Sequence, residues 1–165
     1  MNNHSMESNH GNRVLKALRD DHPIADLDPR VLASWQRCSQ DYHLDPEHFG
    51  ELEIVDRAAL TDRREKCCDL VEIAKNEMTN LYQQVAGSVY SILLSDHDGV
   101  VLNYVGDPLF TTAAAITGMQ TGAVWTENCQ GTNGIGTCLV EKRPLVIHKY
   151  EHFFTKNTRL TCSAA

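Results

Sequence analysis

No Lys or Arg occurs between Lys75 and Lys142, although acids recur there as Glu77, Asp96, Asp98, Asp107, Glu127 and Glu141. A stretch without cations cannot build a side-chain clamp for phosphate or nucleic acid. The whole chain of 165 residues carries 22 Asp+Glu against 15 Lys+Arg, a formal charge of −7, which argues against a DNA-binding face. Long apolar runs are also missing. The longest aliphatic run, Ala113 to Ile116, falls far short of the ~20 residues of a membrane-spanning helix. The opening residues MNNHSMESNHGN lack the apolar core of a secretory signal. The six cysteines (Cys38, Cys67, Cys68, Cys129, Cys138, Cys162) never fall at C-x-x-C spacing, so reduced thiols in a cytoplasmic protein are expected.

What is present is expected to divide into three parts: a disordered tail over 1–12, a helical segment over 13–55, and a mixed helix-and-strand domain over 56–165. The tail is too polar to bury. Val14, Leu15 and Leu18 predict a short helix. Asp28-Pro29 predicts a helix start, with Asp as cap and Pro at the first helical position. From Asp56 to Ala86 apolar residues recur at heptad spacing (Leu60, Cys67, Val71, Ala74, Met78, Leu81, Val85), with only Arg64 out of pattern. Such a seam suits packing between two subunits or against the protein's own sheet. Strands are predicted over 88–95 and 100–105, joined by a turn at Asp98-Gly99. A helix from Asp107-Pro108 to about Thr117, a short strand over 122–125 and a strand over 144–148 complete an α+β pattern.

Three constellations bear on chemistry. Gly131-Thr-Asn-Gly-Ile-Gly-Thr137 has the glycine spacing of a P-loop, but Thr137 stands where the Lys is needed, so nucleotide binding is rejected. Its glycines suit a tight loop entering a helix capped by Thr132 or Asn133, or a hairpin turn at Asn133-Gly134. His148, His152 and Cys162 raise zinc or iron binding, but paired-ligand spacing is missing and no metal or cofactor is expected. Cys129, Cys138 or Cys162 with His148 or His152 is the remaining candidate, a Cys–His nucleophile.

Four elements then carry a family resemblance. Ser34-Trp-Gln-Arg-Cys38 resembles the S-W-x-R-C element of sigma-54-dependent, Fis-family transcriptional regulators of the acetoin-catabolism type. Trp125-Thr-Glu-Asn-Cys-Gln-Gly-Thr-Asn-Gly-Ile-Gly-Thr-Cys-Leu139 resembles their W-[ST]-E-x-x-x-G-T-N-[AG]-[IV]-G-T-x-L signature. Glu151-His152-Phe153 and Thr161-Cys-Ser-Ala-Ala165 match the E-H-F and T-C-[ST]-A elements that follow. The resemblance implies a GAF-like antiparallel sheet flanked by helices, with an N-terminal helical extension. It also implies that the ATPase and the DNA-reading helix-turn-helix lie outside these residues. The family pattern continues past Ser-Ala-Ala into the last central strands, so unpaired backbone is expected at Ala165.

The expected function is therefore ligand sensing without catalysis: a small neutral effector such as acetoin or a related diol or ketone, controlling transcription. The candidate ligand-binding residues are Trp125 as an apolar wall, Thr132 and Asn133 as donors, and His148 and His152 as polar partners. A homodimer through the 56–86 helix is expected, with DNA and sigma-54 RNA polymerase reached only through other domains. A cysteine-based redox or metal sensor, a GAF-type sulfoxide reductase and a purely structural dimerisation module are the competing readings.

Overall fold

Asp28 does what its position predicts: its carboxylate accepts the Arg30 N–H at 2.8 Å and caps helix α2, Pro29–Gln36. The computed structural model describes residues 9–19, 27–87, 90–106 and 118–165. The predicted helix over 108–117 lies outside the described residues, as do positions 1–8 of the expected tail. The chain divides into two compact units, Met1–Glu51 with Trp125–Ala165, and Leu52–Val124. Both mix helix with antiparallel strand pairs.

In the first unit, helix α1 (His10–Arg19) precedes α2, which continues through a π-helical turn over Arg37–Asp41. The start of α1 at His10, which is 1 % exposed, places ordered and buried chain inside the segment expected to be a tail. Further along the chain come a short helix α5 (Glu127–Gln130), helix α6 (Gly134–Glu141) and strand β3 (Leu145–His148). Two 3-10 turns (Lys149–Glu151, Thr155–Asn157) then lead to β4 (Thr161–Ala164). Strands β3 and β4 pair antiparallel from Leu145↔Ala164 to His148↔Thr161. Alternation along β3 sends Leu145 and Ile147 inward and leaves Val146 and His148 exposed. The two inward residues join Val14, Val31, Trp35, Cys38, Phe153 and Phe154 in one apolar cluster.

The second unit corrects the expectation of one unbroken helix. Cys67 (φ −109°, ψ 23°) separates α3 (Arg57–Lys66) from α4 (Cys68–Val85). Strands β1 (Ser91–Ser95) and β2 (Val101–Gly106) form the predicted hairpin. Its turn is built on Asp96, whose Oδ1 accepts the Asp98 and Val100 N–H groups at 3.0 Å each. Arg63 from α3 bonds Asp96 and Asp98 at 2.7 and 2.8 Å. Arg64, the exception in the apolar seam, donates to the Leu102 carbonyl at 2.7 Å. Packing of the helices on the hairpin buries Met78, while Leu70, Ile73 and Leu81 stay exposed. The short strand expected over 122–125 is reduced to isolated bridges, Val100↔Val124 and Ile54↔Ala123. The two strand pairs are separate two-stranded sheets.

Candidate functional site

Among the described residues of the first unit, Glu127 is the most deeply placed carboxylate, with a side chain only 1 % exposed. Helix α5 brings it beneath the π-turn, where Arg37 grips it with Nε on Oε2 at 2.8 Å and Nη2 on Oε1 at 3.0 Å. The same guanidinium donates to Glu141 at 2.9 Å, so one cation serves two carboxylates. That pairing raises the Arg37 pKa further and keeps the group charged. Ser34 Oγ donates to Glu127 Oε1 at 2.6 Å. Because that proton is committed, the Thr132 hydroxyl, also 2.6 Å from Ser34 Oγ, donates to it. Ser34 and Arg37 of the first motif thus hold Glu127 and Thr132 of the second.

The glycine-rich loop is ordered by its own side chains. Asn133 caps α6 by accepting the Gly136 N–H at 2.8 Å, and its amide donates to the Gly131 carbonyl at 2.8 Å. The helix-cap alternative for this segment is therefore the observed one. Gly131 turns the chain at φ 63°, where a Cβ would also lie 2.8 Å from Phe153 Cβ. Gly136 packs against backbone: an added Cβ would meet Glu127 N at 2.6 Å and the Trp125 carbonyl at 2.7 Å.

The E-H-F element closes the arrangement. Trp35 Nε1 donates to the Glu151 carbonyl at 2.8 Å, and His10 Nε2 donates to the His152 carbonyl at 2.9 Å. His152 Nδ1 lies 2.9 Å from the Lys149 carbonyl, which can only accept, so Nδ1 carries the proton. Its bare Nε2 then faces Cys162 Sγ at 3.5 Å. Burial pushes the His152 imidazole down to about 4 and the Cys162 thiol up. Both partners are held neutral, with the proton on sulfur, the unreactive form of a Cys–His pair. Cys38, wholly buried beside Thr132, is pushed up to about 12 by desolvation.

Of the five candidate ligand-binding residues, Thr132, Asn133 and His152 are wholly buried and bonded within the protein, and Trp125 is 3 % exposed. His148 stands apart at the end of β3, exposed, with Nδ1 2.9 Å from Thr161 Oγ1. The first four share the interior of this unit. Ser34, Arg37, Glu127 and Glu141 were missed as members of the constellation, although the motif letters S-W-x-R-C and W-T-E contain three of them. Among the described residues no three His, Cys, Asp or Glu side chains group to hold a metal ion. Nor is any described helix long and apolar enough to cross a membrane.

The chain is 36 % identical over 138 residues to the acetoin catabolism regulatory protein of Cupriavidus necator, covering 84 % of this chain and 21 % of that protein. It is 31 % identical over 141 residues to the acetoin dehydrogenase operon transcriptional activator AcoR of Bacillus subtilis (86 % and 23 %). It is 32 % identical over 136 residues to the propane 2-monooxygenase operon transcriptional activator MimR of Mycolicibacterium smegmatis (82 % and 22 %). It therefore spans between a fifth and a quarter of the length of these relatives. A chain in the crystal structure of the E. coli DhaR(N)–DhaL complex has a similar fold, with a TM-score of 0.73 at 15 % identity, covering 78 % of this chain and 44 % of that one. The model of the MimR N-terminal domain matches residues 16–165, which takes in all four motif elements, and the chain belongs to that family.

Proposed function

We propose that the chain is the signal-sensing domain of a bacterial transcriptional activator of a catabolic operon, built on a GAF-like scaffold and without catalytic activity of its own. Three relatives that activate or regulate catabolic genes support this reading. In it, sigma-54 RNA polymerase and DNA are engaged by other parts of a longer cytoplasmic regulator. The effector is a small, neutral, oxygen-rich metabolite, acetoin or a related diol or ketone. The observation that carries the proposal is the interlock of Ser34 and Arg37 with Glu127 and Thr132. An effector that shifts the 131–133 loop changes the footing of α2, and so biases one packing over another. Trp125, Thr132, Asn133 and His152 belong to the buried part of this reading, and His148, at the end of β3, is its exposed polar group.

Calorimetry with acetoin, 2,3-butanediol and related ketones tests this on the 165-residue chain. Saturable binding weakened by Asn133→Ala is the expected result. A cooperatively melting protein that binds none of these compounds sinks the effector reading.

A second copy is proposed to pair along α4. Leu70, Ile73 and Leu81 fall within about 80° of one another on a helix of 3.6 residues per turn and are half or more exposed, apart from Leu81 at 49 %. Ile73→Asp is expected to convert dimer to monomer in sedimentation equilibrium. A monomer before substitution removes this part of the proposal.

A further inference from the structure

Gln130 closes α5 and is 1 % exposed. Its Oε1 accepts from Lys156 Nζ at 3.0 Å. An ammonium can only donate, so this contact fixes which end of the amide is oxygen. The Nε2 group is then buried with no acceptor. One residue beyond Lys156, the Nδ2 group of Asn157, which is 2 % exposed, has no acceptor either. Unpaired buried donors are costly, so one on the amide that holds the lysine and another on the next residue in the chain call for a cause.

The lysine is uncompensated as well. Lys156 Nζ sits 4.5 Å from the centre of the Phe49 ring and 5.4 Å from that of Phe154. No carboxylate lies within ion-pair distance of it among the described residues. Glu47 Oε1 takes the Thr155 hydroxyl at 3.1 Å and the Gly11 N–H at 2.9 Å, and no ion pair joins Glu47 to the lysine. Desolvation with no compensating charge lowers the Lys156 pKa. At this point the lysine ammonium and the Gln130 amide N–H₂ present donors, and among the described residues the hydrogen bond of the lysine goes to the Gln130 oxygen.

We infer that Lys156, Gln130 and Asn157 form a binding site for the carboxylate of a short organic acid, its aliphatic part lying against Phe49 and Phe154. A carboxylate brings one negative charge and two oxygens with about four lone-pair positions, which suits one ammonium and two amide N–H₂ groups. A phosphate dianion would leave a charge unbalanced beside a single cation. Phe49 is 49 % exposed, so its ring and the lysine stem are the parts that move aside to admit the ligand. This site is separate from the effector reading above, and either stands if the other fails.

The test is a titration of the 165-residue chain with sodium acetate and sodium butyrate, followed by NMR on the side-chain amides of Gln130 and Asn157. Sodium chloride and sodium sulfate at matched ionic strength are the controls. Saturable shifts with the carboxylates alone are expected, with butyrate binding the tighter. Lys156→Met is expected to weaken binding at least tenfold. Gln130→Glu places a carboxylate within reach of Lys156, so this variant is expected to stay folded and lose acetate binding. If Lys156→Met does not fold, Gln130→Glu carries the test. Absence of saturation with either acid, equal shifts with chloride or sulfate, or full binding by Gln130→Glu overturns the proposal.

Discussion

Glu127 and Arg37 show how much can rest on one buried charge. An ion pair taken out of water gains little over an apolar pair, but removing one partner strands the other at ~3–5 kcal/mol. Arg37→Met is expected to cost in that range in urea unfolding, because Glu127 loses both guanidinium bonds while Glu141 can turn to water. Ser34→Ala removes one hydroxyl from a carboxylate that keeps its arginine, so ~1–2 kcal/mol is expected. A Ser34→Ala loss equal to that of Arg37→Met would mean the hydroxyl chain, not the ion pair, holds the motif together. His152 makes a separate, pH-dependent contribution. Its folded pKa of about 4 lies below the ordinary 6.5, so as pH falls the unfolded chain takes up the proton first. The stabilisation is fully present above pH 6.5 and is lost progressively down to about pH 4, a span of about 3 kcal/mol. His10, lowered for the same reason, acts with the same sign. Melting temperature is expected to fall between pH 7 and pH 4.5 with a shallower slope in His152→Gln; an unchanged slope would place the sensitive group elsewhere.

At the level of elements, legibility followed the range of the interaction. The Asp28, Asp56 and Asn133 caps are local bonds within three residues; residue type and position single out Asp28, and leave Asn133 as one of two cap candidates beside a hairpin alternative. The hairpin at Asp96–Gly99 was legible for the same reason. What sequence could not reveal was set at a distance. The seam from Leu60 to Val85 does not show that Cys67 breaks it, and Arg64 looks like a flaw until the Leu102 carbonyl is seen opposite. Strand β4 is not legible because its form comes from pairing with β3 and packing on α6, which lie outside its own four residues. The motifs name the residues, but not that four of their positions form one hydrogen-bonded cluster. Helix α6 gives a test at this scale. Its cap can be removed at ~1 kcal/mol by Asn133→Ala. Gly136→Ala is expected to cost more, about 2–3 kcal/mol, because its Cβ would press on Glu127 N and the Trp125 carbonyl, which are backbone and cannot rotate away. Chemical denaturation of the two variants ranks them, and the reverse order would show that α6 can slide away from α5.

Across the whole chain, the stretch without Lys or Arg is compensated from outside itself. Arg37 is shared by Glu127 and Glu141, and Arg63 by Asp96 and Asp98, each within its own unit. The charge gap is therefore as much a statement about structural ion pairs as about a pocket for a neutral molecule. The same ion pairs tie the two segments of the first unit together, with Arg37 in the early segment and Glu127 and Glu141 in the later one. Both segments are needed to complete its core, and the early one reaches back to His10. There, His10 Nε2 holds the His152 carbonyl, the Gly11 N–H holds Glu47, and Val14 is wholly buried in the apolar cluster. Deleting residues 1–12 as a dispensable tail is therefore expected to destabilise the first unit. It removes two long-range bonds, at ~1 kcal/mol each, and unwinds the first turn of the helix that presents Val14, whose burial is worth ~1.5–3 kcal/mol. A loss of about 3 kcal/mol is expected, with amide exchange accelerating in α2 and around Phe153, while the β1–β2 hairpin keeps its protection. Equal loss of protection in the hairpin would show that the two units unfold as one, and an unchanged exchange pattern would return residues 9–12 to the tail.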